Sequence, residues 1–124
     1  MSKIVNVKVM RRALGGVVKI DVVAHSALLV ETEMGSKHII ELLEDGKIHK
    51  TDEIPGKVLY DSSKWSVQKV GATPTKSATP DKIVEAMQAF VDKRGKYNLL
   101  TNNCHMAQEY ARRDILGVEV ADPY

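Results

Sequence analysis

The chain has 124 residues, of which 44% are hydrophobic and 27% charged, with a formal net charge of +2. That length holds one hydrophobic core and not two, so a single domain spanning 1–124 is expected. The near-balanced, scattered charge gives no ground for a nucleic-acid surface, and the single cysteine excludes an internal disulfide.

The start, Met-Ser-Lys-Ile-Val-Asn-Val-Lys, lacks the apolar stretch of a cleaved signal peptide. No run approaches the roughly 18 apolar residues of a membrane span. The expectation is a cytoplasmic protein without an integral membrane segment, in a compartment that keeps a thiol reduced.

Lys3 to Met10 alternates, with Val5, Val7 and Val9 on one face, and reads as a strand. Gly15-Gly16 signals a turn. Val17 to Glu31 is rich in Val, Ile and Leu and predicts one long strand or two joined by a bend; His25 interrupts it. Glu33 to Ser36 is a turn, and Lys37 to Leu43 is the return strand of a hairpin. Lys47 to Asp52 is a further strand after Asp45-Gly46. Val58 to Tyr60 and Ser66 to Val70 are short strand candidates, and Gly71 to Thr79 is a loop.

The clearest helix follows. Thr79 caps it, Pro80 takes the first position and Asp81 complements the dipole. Ile83, Val84, Met87, Phe90 and Val91 form the buried stripe, and Gly95 ends it. A second helix begins near Asn103 or Cys104, with Asn102 and Asn103 as cap candidates, and ends near Gly117. Ala107, Tyr110 and Ala111 are its sheet-facing residues. Val118 to Tyr124 is a tail, read as a possible edge strand. Strands grouped before helices indicate α+β, an antiparallel β-sheet packed against two helices.

The only cysteine therefore opens a late helix. The positive end of the helix dipole and the unpaired N–H groups there favour the thiolate, which is the nucleophilic form. Cysteine chemistry also needs an imidazole and a group to orient it. Among the four histidines, His105 points about 100° away from its neighbour Cys104, and His49 sits in a charged stretch. His25 lies inside an apolar strand, where a polar group must be used or satisfied, and the small Ser26 and Ala27 after it let another element pack close. A three-residue turn at Glu33-Met34-Gly35 pairs Thr32 with Ser36, Val30 with His38, Ala27 with Glu41 and His25 with Leu43. Glu41 is then a diagonal neighbour of His25 on the same face. A one-residue slip would favour Glu44 or His38 instead. Glu41 is the preferred orienter and His38 the alternative third residue.

These pieces are His25-Ser-Ala-Leu-Leu-Val, His38-Ile-Ile-Glu41 and Asn102-Asn103-Cys104-His105-Met-Ala. Together they resemble the circularly permuted papain-like cysteine hydrolases. That group contains the lecithin retinol acyltransferase-like enzymes, the PPPDE-like peptidases that cleave ubiquitin-like conjugates, and bacterial permuted NlpC-type enzymes. Its Cys helix follows the His strand, the reverse of ordinary papain-like enzymes. Ile-Ile-Glu41 looks like the bacterial members that use Glu. Asn-Cys-His-Met-Ala looks more like the Asn-Cys-x-His-Phe of the other branches, with His shifted and Phe absent. The resemblance implies a permuted papain-like fold. It also implies a thioacyl-enzyme mechanism with Cys104 as nucleophile, His25 as base and then acid, and Glu41 holding its tautomer. The Cys104 backbone N–H would be one oxyanion donor, with Asn103, Asn98 and Tyr97 as further oxyanion or substrate contacts.

Each residue has a plainer reading. A lone cysteine is often a buried small hydrophobe, a strand histidine a satisfied core residue, and a strand glutamate a solvent-facing one. A zinc trio of His25, His38 and Cys104 matches no closed Cys/His spacing, so neither metal nor cofactor is expected. Trp65 is either core filling or a groove wall. The leading expectation is a cysteine hydrolase, a peptidase or amidase, acting on a peptide, amide or acyl substrate. A lipid-directed thiol acyltransferase or phospholipase and a non-catalytic binding domain retaining the fold are the alternatives.

Overall fold

The computed structural model describes residues 2–13, 24–98 and 103–118. The expected turn at Gly15-Gly16, the strand residues 17–23, Asn102 and the tail 119–124 lie outside these. The strands are β1 (Ile4–Ala13), β2 (Ala24–Thr32), β3 (Lys37–Leu42), β4 (Ile48–Asp52) and the two-residue β5 (Ser66–Val67). They form one antiparallel sheet in the order β4-β3-β2-β1-β5. Two helices follow, α1 (Pro80–Arg94) and α2 (Cys104–Tyr110), and a wider π-helical turn, Ala111–Ile115, continues α2. The architecture is α+β, with both helices packed against the sheet.

Turn chemistry sets the central register. The Thr32 N–H donates to the Ser36 carbonyl, the Gly35 N–H donates back to the Thr32 carbonyl, and Gly35 takes φ 87°. A three-residue hairpin with Gly in the left-handed position fixes the pairing. Val30 therefore pairs with His38 and Leu28 with Ile40, the register that the turn count predicts.

The alternation of β2 divides the sheet into two faces. Leu28, Val30, Ile40 and Leu42 join Val7 and Val9 beneath the helices, where Ile83, Met87, Val91, Ala107 and Ala111 close the main core. Met10, Ala27 and Ile39 form a smaller cluster on the other face, partly covered by Leu59, Tyr60, Trp65 and Val67. Expected and observed faces differ at one end of β1. The register shifts between Ile4 and Asn6, and this bulge places Ile4 rather than Val5 in the main core.

The helix caps follow from sequence. Thr79 accepts from the Lys82 N–H, and Ile83, Met87 and Val91 are buried while Val84 and Phe90 are half-buried. Asn103 caps α2 by accepting from the Met106 N–H at 3.1 Å. Tyr110 turns toward α1 instead of the sheet and stacks on Phe90, centroids 4.1 Å apart; Gln108 is buried in its place. At Gly117, φ is 65° and a Cβ would stand 2.0 Å from the Thr75 hydroxyl, so the helix ends where only glycine fits. Val58 to Tyr60 is not a strand: Val58 is 85% exposed, in a turn-rich excursion from β4 to β5. β5 stops at Val67 rather than continuing to Val70. Among the described residues no helix is long and apolar enough to cross a membrane.

Candidate functional site

Cys104 is the first residue of α2, and its neighbour Asn103 spends its side-chain oxygen on capping the helix. The thiol is thereby held at the end of the helix where backbone N–H groups are unpaired. His25 is the second residue of β2. The helix start meets the strand start, and the Cys104 thiol and the His25 imidazole act on one another's ionisation through hydrogen bonding and charge. Both are buried, at 3% and 4% exposure, so their interaction is little screened by water.

The third member comes from β3. His25 Nε2 lies 2.6 Å from Glu41 Oε1, which leaves Nδ1 for the thiol. Glu41 reaches His25 diagonally across the β2–β3 pair, as the hairpin register requires. Thiol, imidazole and carboxylate thus stand in line on α2, β2 and β3.

The electrostatics follow from that line. Burial opposes a charge on His25. The hydrogen bonds and charges of Cys104 and Glu41 outweigh it and raise the imidazole to about 9. Burial likewise opposes a charge on Cys104. The His25 bond and charge, with N–H donation from the Ser26 and His105 backbones, pull the thiol below its ordinary value. Both shifts favour a thiolate–imidazolium pair, in which Nε2–H donates to Glu41.

Tyr97 completes the surroundings of the sulfur. Its hydroxyl stands close enough to Cys104 for the sulfur to act on its ionisation. Burial, followed by the thiolate charge, pushes it up to about 12, so it stays a donor. Tyr97 also lines a groove of about 520 Å³ with Glu44, Asp45, Gly46, Lys47, Asp92, Gly95 and Lys96. Of the residues around the sulfur, Tyr97 is the one that reaches this groove, which is walled by charged and backbone groups.

The remaining candidates lie elsewhere. His38 Nδ1 is 2.8 Å from Asp52 and its Nε2 is 3.1 Å from the Ser36 hydroxyl; it does not meet His25. His25, His38 and Cys104 therefore do not converge, and the described residues contain no group of three His, Cys, Asp or Glu able to hold a metal. His49 pairs with Asp45 at 2.9 Å. Asn98 is exposed. His105 meets the sulfur through its backbone N–H.

Two contacts had no signal in the sequence. The Ser26 N–H at the sulfur is a backbone group, whose aim depends on how α2 meets β2. Trp65 packs against the smaller core cluster, and its ring also meets the His25 imidazole edge-on, with centroids 5.8 Å apart and planes at 61°. Comparison of the chain with protein-family models, with curated proteins and with solved structures found no match.

Proposed function

We propose that the chain is a cysteine hydrolase, a peptidase or amidase, working through a thioacyl-enzyme. The observation that carries this reading is the buried line Cys104–His25–Glu41, with a carboxylate 2.6 Å from the far nitrogen of the imidazole. A cysteine that merely filled space would not need a strand histidine on its sulfur and a carboxylate behind that histidine.

The chemistry follows from the resting ion pair. The Cys104 thiolate attacks the substrate carbonyl carbon, and the carbonyl π electrons move onto oxygen. The Cys104 backbone N–H, at the helix start, receives that oxyanion. His25 donates its proton to the leaving nitrogen or oxygen as the bond to carbon breaks, leaving a thioester on Cys104. A water then loses a proton to neutral His25 and attacks the thioester carbon, and the thiolate leaves. Glu41 holds the imidazole with one nitrogen toward the sulfur throughout.

The order of elements, His strand before Cys helix, is that of the permuted papain-like hydrolases, and we read the fold as one of theirs, in a single domain. The groove beside Tyr97 favours a peptide or amide substrate over a lipid one. Glu44, Asp45, Lys47, Asp92 and Lys96 line it, and such walls suit polar backbone better than an acyl chain. A lone thiol suits the reducing conditions of the cytoplasm.

The test is a panel of ester, amide and ubiquitin-like electrophilic probes, with adducts located by mass spectrometry. An adduct on Cys104 that needs His25 is expected, with Cys104→Ala as the blank. No adduct with any probe would leave a binding domain that retains the fold.

A further inference from the structure

The sheet face that carries His25 holds a second charged group close by. Arg12 is the cross-strand partner of His25, so the two side chains leave the sheet on the same face. His25 on β2 thus stands between Glu41 on β3 and Arg12 on β1. The guanidinium carbon of Arg12 lies 4.9 Å from the Trp65 ring centroid, and the same indole meets the edge of His25. One aromatic side chain therefore touches both the imidazole and a permanent cation.

That cation has an unmade bond. Arg12 Nε is shielded from solvent and has no hydrogen-bond partner among the described residues. Glu41, the carboxylate that shares this face, is committed to His25 Nε2. A buried donor left unsatisfied is destabilising and calls for an explanation. A guanidinium is a planar fork whose paired N–H groups match a carboxylate, and the cation–π contact with Trp65 helps to hold that fork in place.

We propose that Arg12, held by Trp65, receives a carboxylate of the substrate, next to the bond that Cys104 attacks. The substrate class is then a peptide or N-acyl amino acid with a free carboxylate one or two residues from the scissile carbonyl. This rests on the hydrolase reading of Cys104, His25 and Glu41, and it adds the charge of what that site accepts.

Two alkylating probes isolate the effect. N-iodoacetyl-glycine and N-iodoacetyl-glycinamide deliver the same electrophile and differ only in the carboxylate. Their second-order rates at Cys104 are measured at low ionic strength and each is divided by the iodoacetamide rate of the same protein. The wild type is expected to favour the carboxylate probe roughly tenfold, the scale of one charge-assisted bond. Arg12→Gln brings the ratio near unity, Arg12→Lys keeps part of it, and salt at about 0.5 M erases it in the wild type. No preference in the wild type, which needs no variant to fold, overturns the proposal. So does a preference that survives intact in Arg12→Gln. Slow labelling by iodoacetamide itself would count against the hydrolase reading instead, and the ratio stays measurable on a slow thiol, so the two ideas fail separately.

Discussion

Replacing His25 by alanine takes the imidazolium away from the sulfur and leaves Glu41 with no ring to hold. Burial then acts on Cys104 with less opposition and moves the thiol to its ordinary value of roughly 8.5 or above. A thiol of that pKa is about 0.3% ionised at pH 6. In the wild type the thiol is lowered by His25 and by the Ser26 and His105 N–H groups. The loss of thiolate in the variant thus approaches about 300-fold as the wild type nears full ionisation. A more basic thiolate is also a better nucleophile, and a Brønsted slope of about 0.4–0.5 returns roughly 10- to 20-fold of that loss. The net expectation is a fall of about 10- to 30-fold in the rate of iodoacetamide labelling at pH 6. The rate is followed by mass spectrometry, with circular dichroism showing that the variant keeps its fold. Raising the pH to about 9 should bring the variant back toward the wild type. Wild-type labelling at the speed of an unactivated thiol, or a His25→Ala effect under about threefold, would refute the ion pair and the enzyme reading with it.

The other expectations concern the line behind the thiol and the core beneath it. Turnover should fall on the alkaline side near pH 9, because His25 loses there the proton that the leaving group needs. Glu41→Gln replaces a charge-assisted bond by a neutral one, a difference of about 1–2 kcal/mol. It should draw that limb down by roughly one pH unit, and a limb that stays at 9 would remove Glu41 from the line. His38→Gln should leave the limb in place, since His38 is occupied by Asp52 and Ser36; a shift equal to that of Glu41→Gln would transfer the orienting role. Met87→Ala empties a fully buried position between α1 and the sheet and should cost about 2–5 kcal/mol in urea unfolding. A loss under about 1 kcal/mol would mean that α1 is not packed as described.

The fold was legible where local chemistry decides it. The Thr79-Pro80-Asp81 start and the Gly95 end bound α1 because each satisfies or terminates backbone groups within one turn. The β2–β3 hairpin was legible because Gly35 leaves one good loop length. What failed was decided at a distance. The bulge between Ile4 and Asn6 depends on where β1 meets Thr32 and Glu31. There the Lys3 carbonyl also accepts from the Glu33 N–H, a contact that alternation cannot foresee. Val58 to Tyr60 has strand composition, but Val58 finds no face to bury, and composition alone does not provide a partner strand.

The candidate site divides along the same line. His25 and Glu41 could be paired by counting from a three-residue turn, since both sit within one hairpin and diagonal reach is a property of the sheet. Cys104 could be placed at a helix start because Asn103 is a capping residue. That the helix start reaches the strand start is tertiary, and it is what turns two separate motifs into one acid–base line. Ser26 shows why the approach is so close. It is fully buried, its side chain is small, and its N–H is aimed at the sulfur; a bulky residue there would hold α2 away. On the sheet face that carries His25, Arg12 and Trp65 were invisible as a pair. Arg12 and His25 are paired across two strands whose register the sequence reading did not count, and Trp65 arrives from the excursion between β4 and β5. A cation stacked beside the imidazole therefore had to be found in space, and it bears on which substrates the thiol meets rather than on whether the thiol reacts.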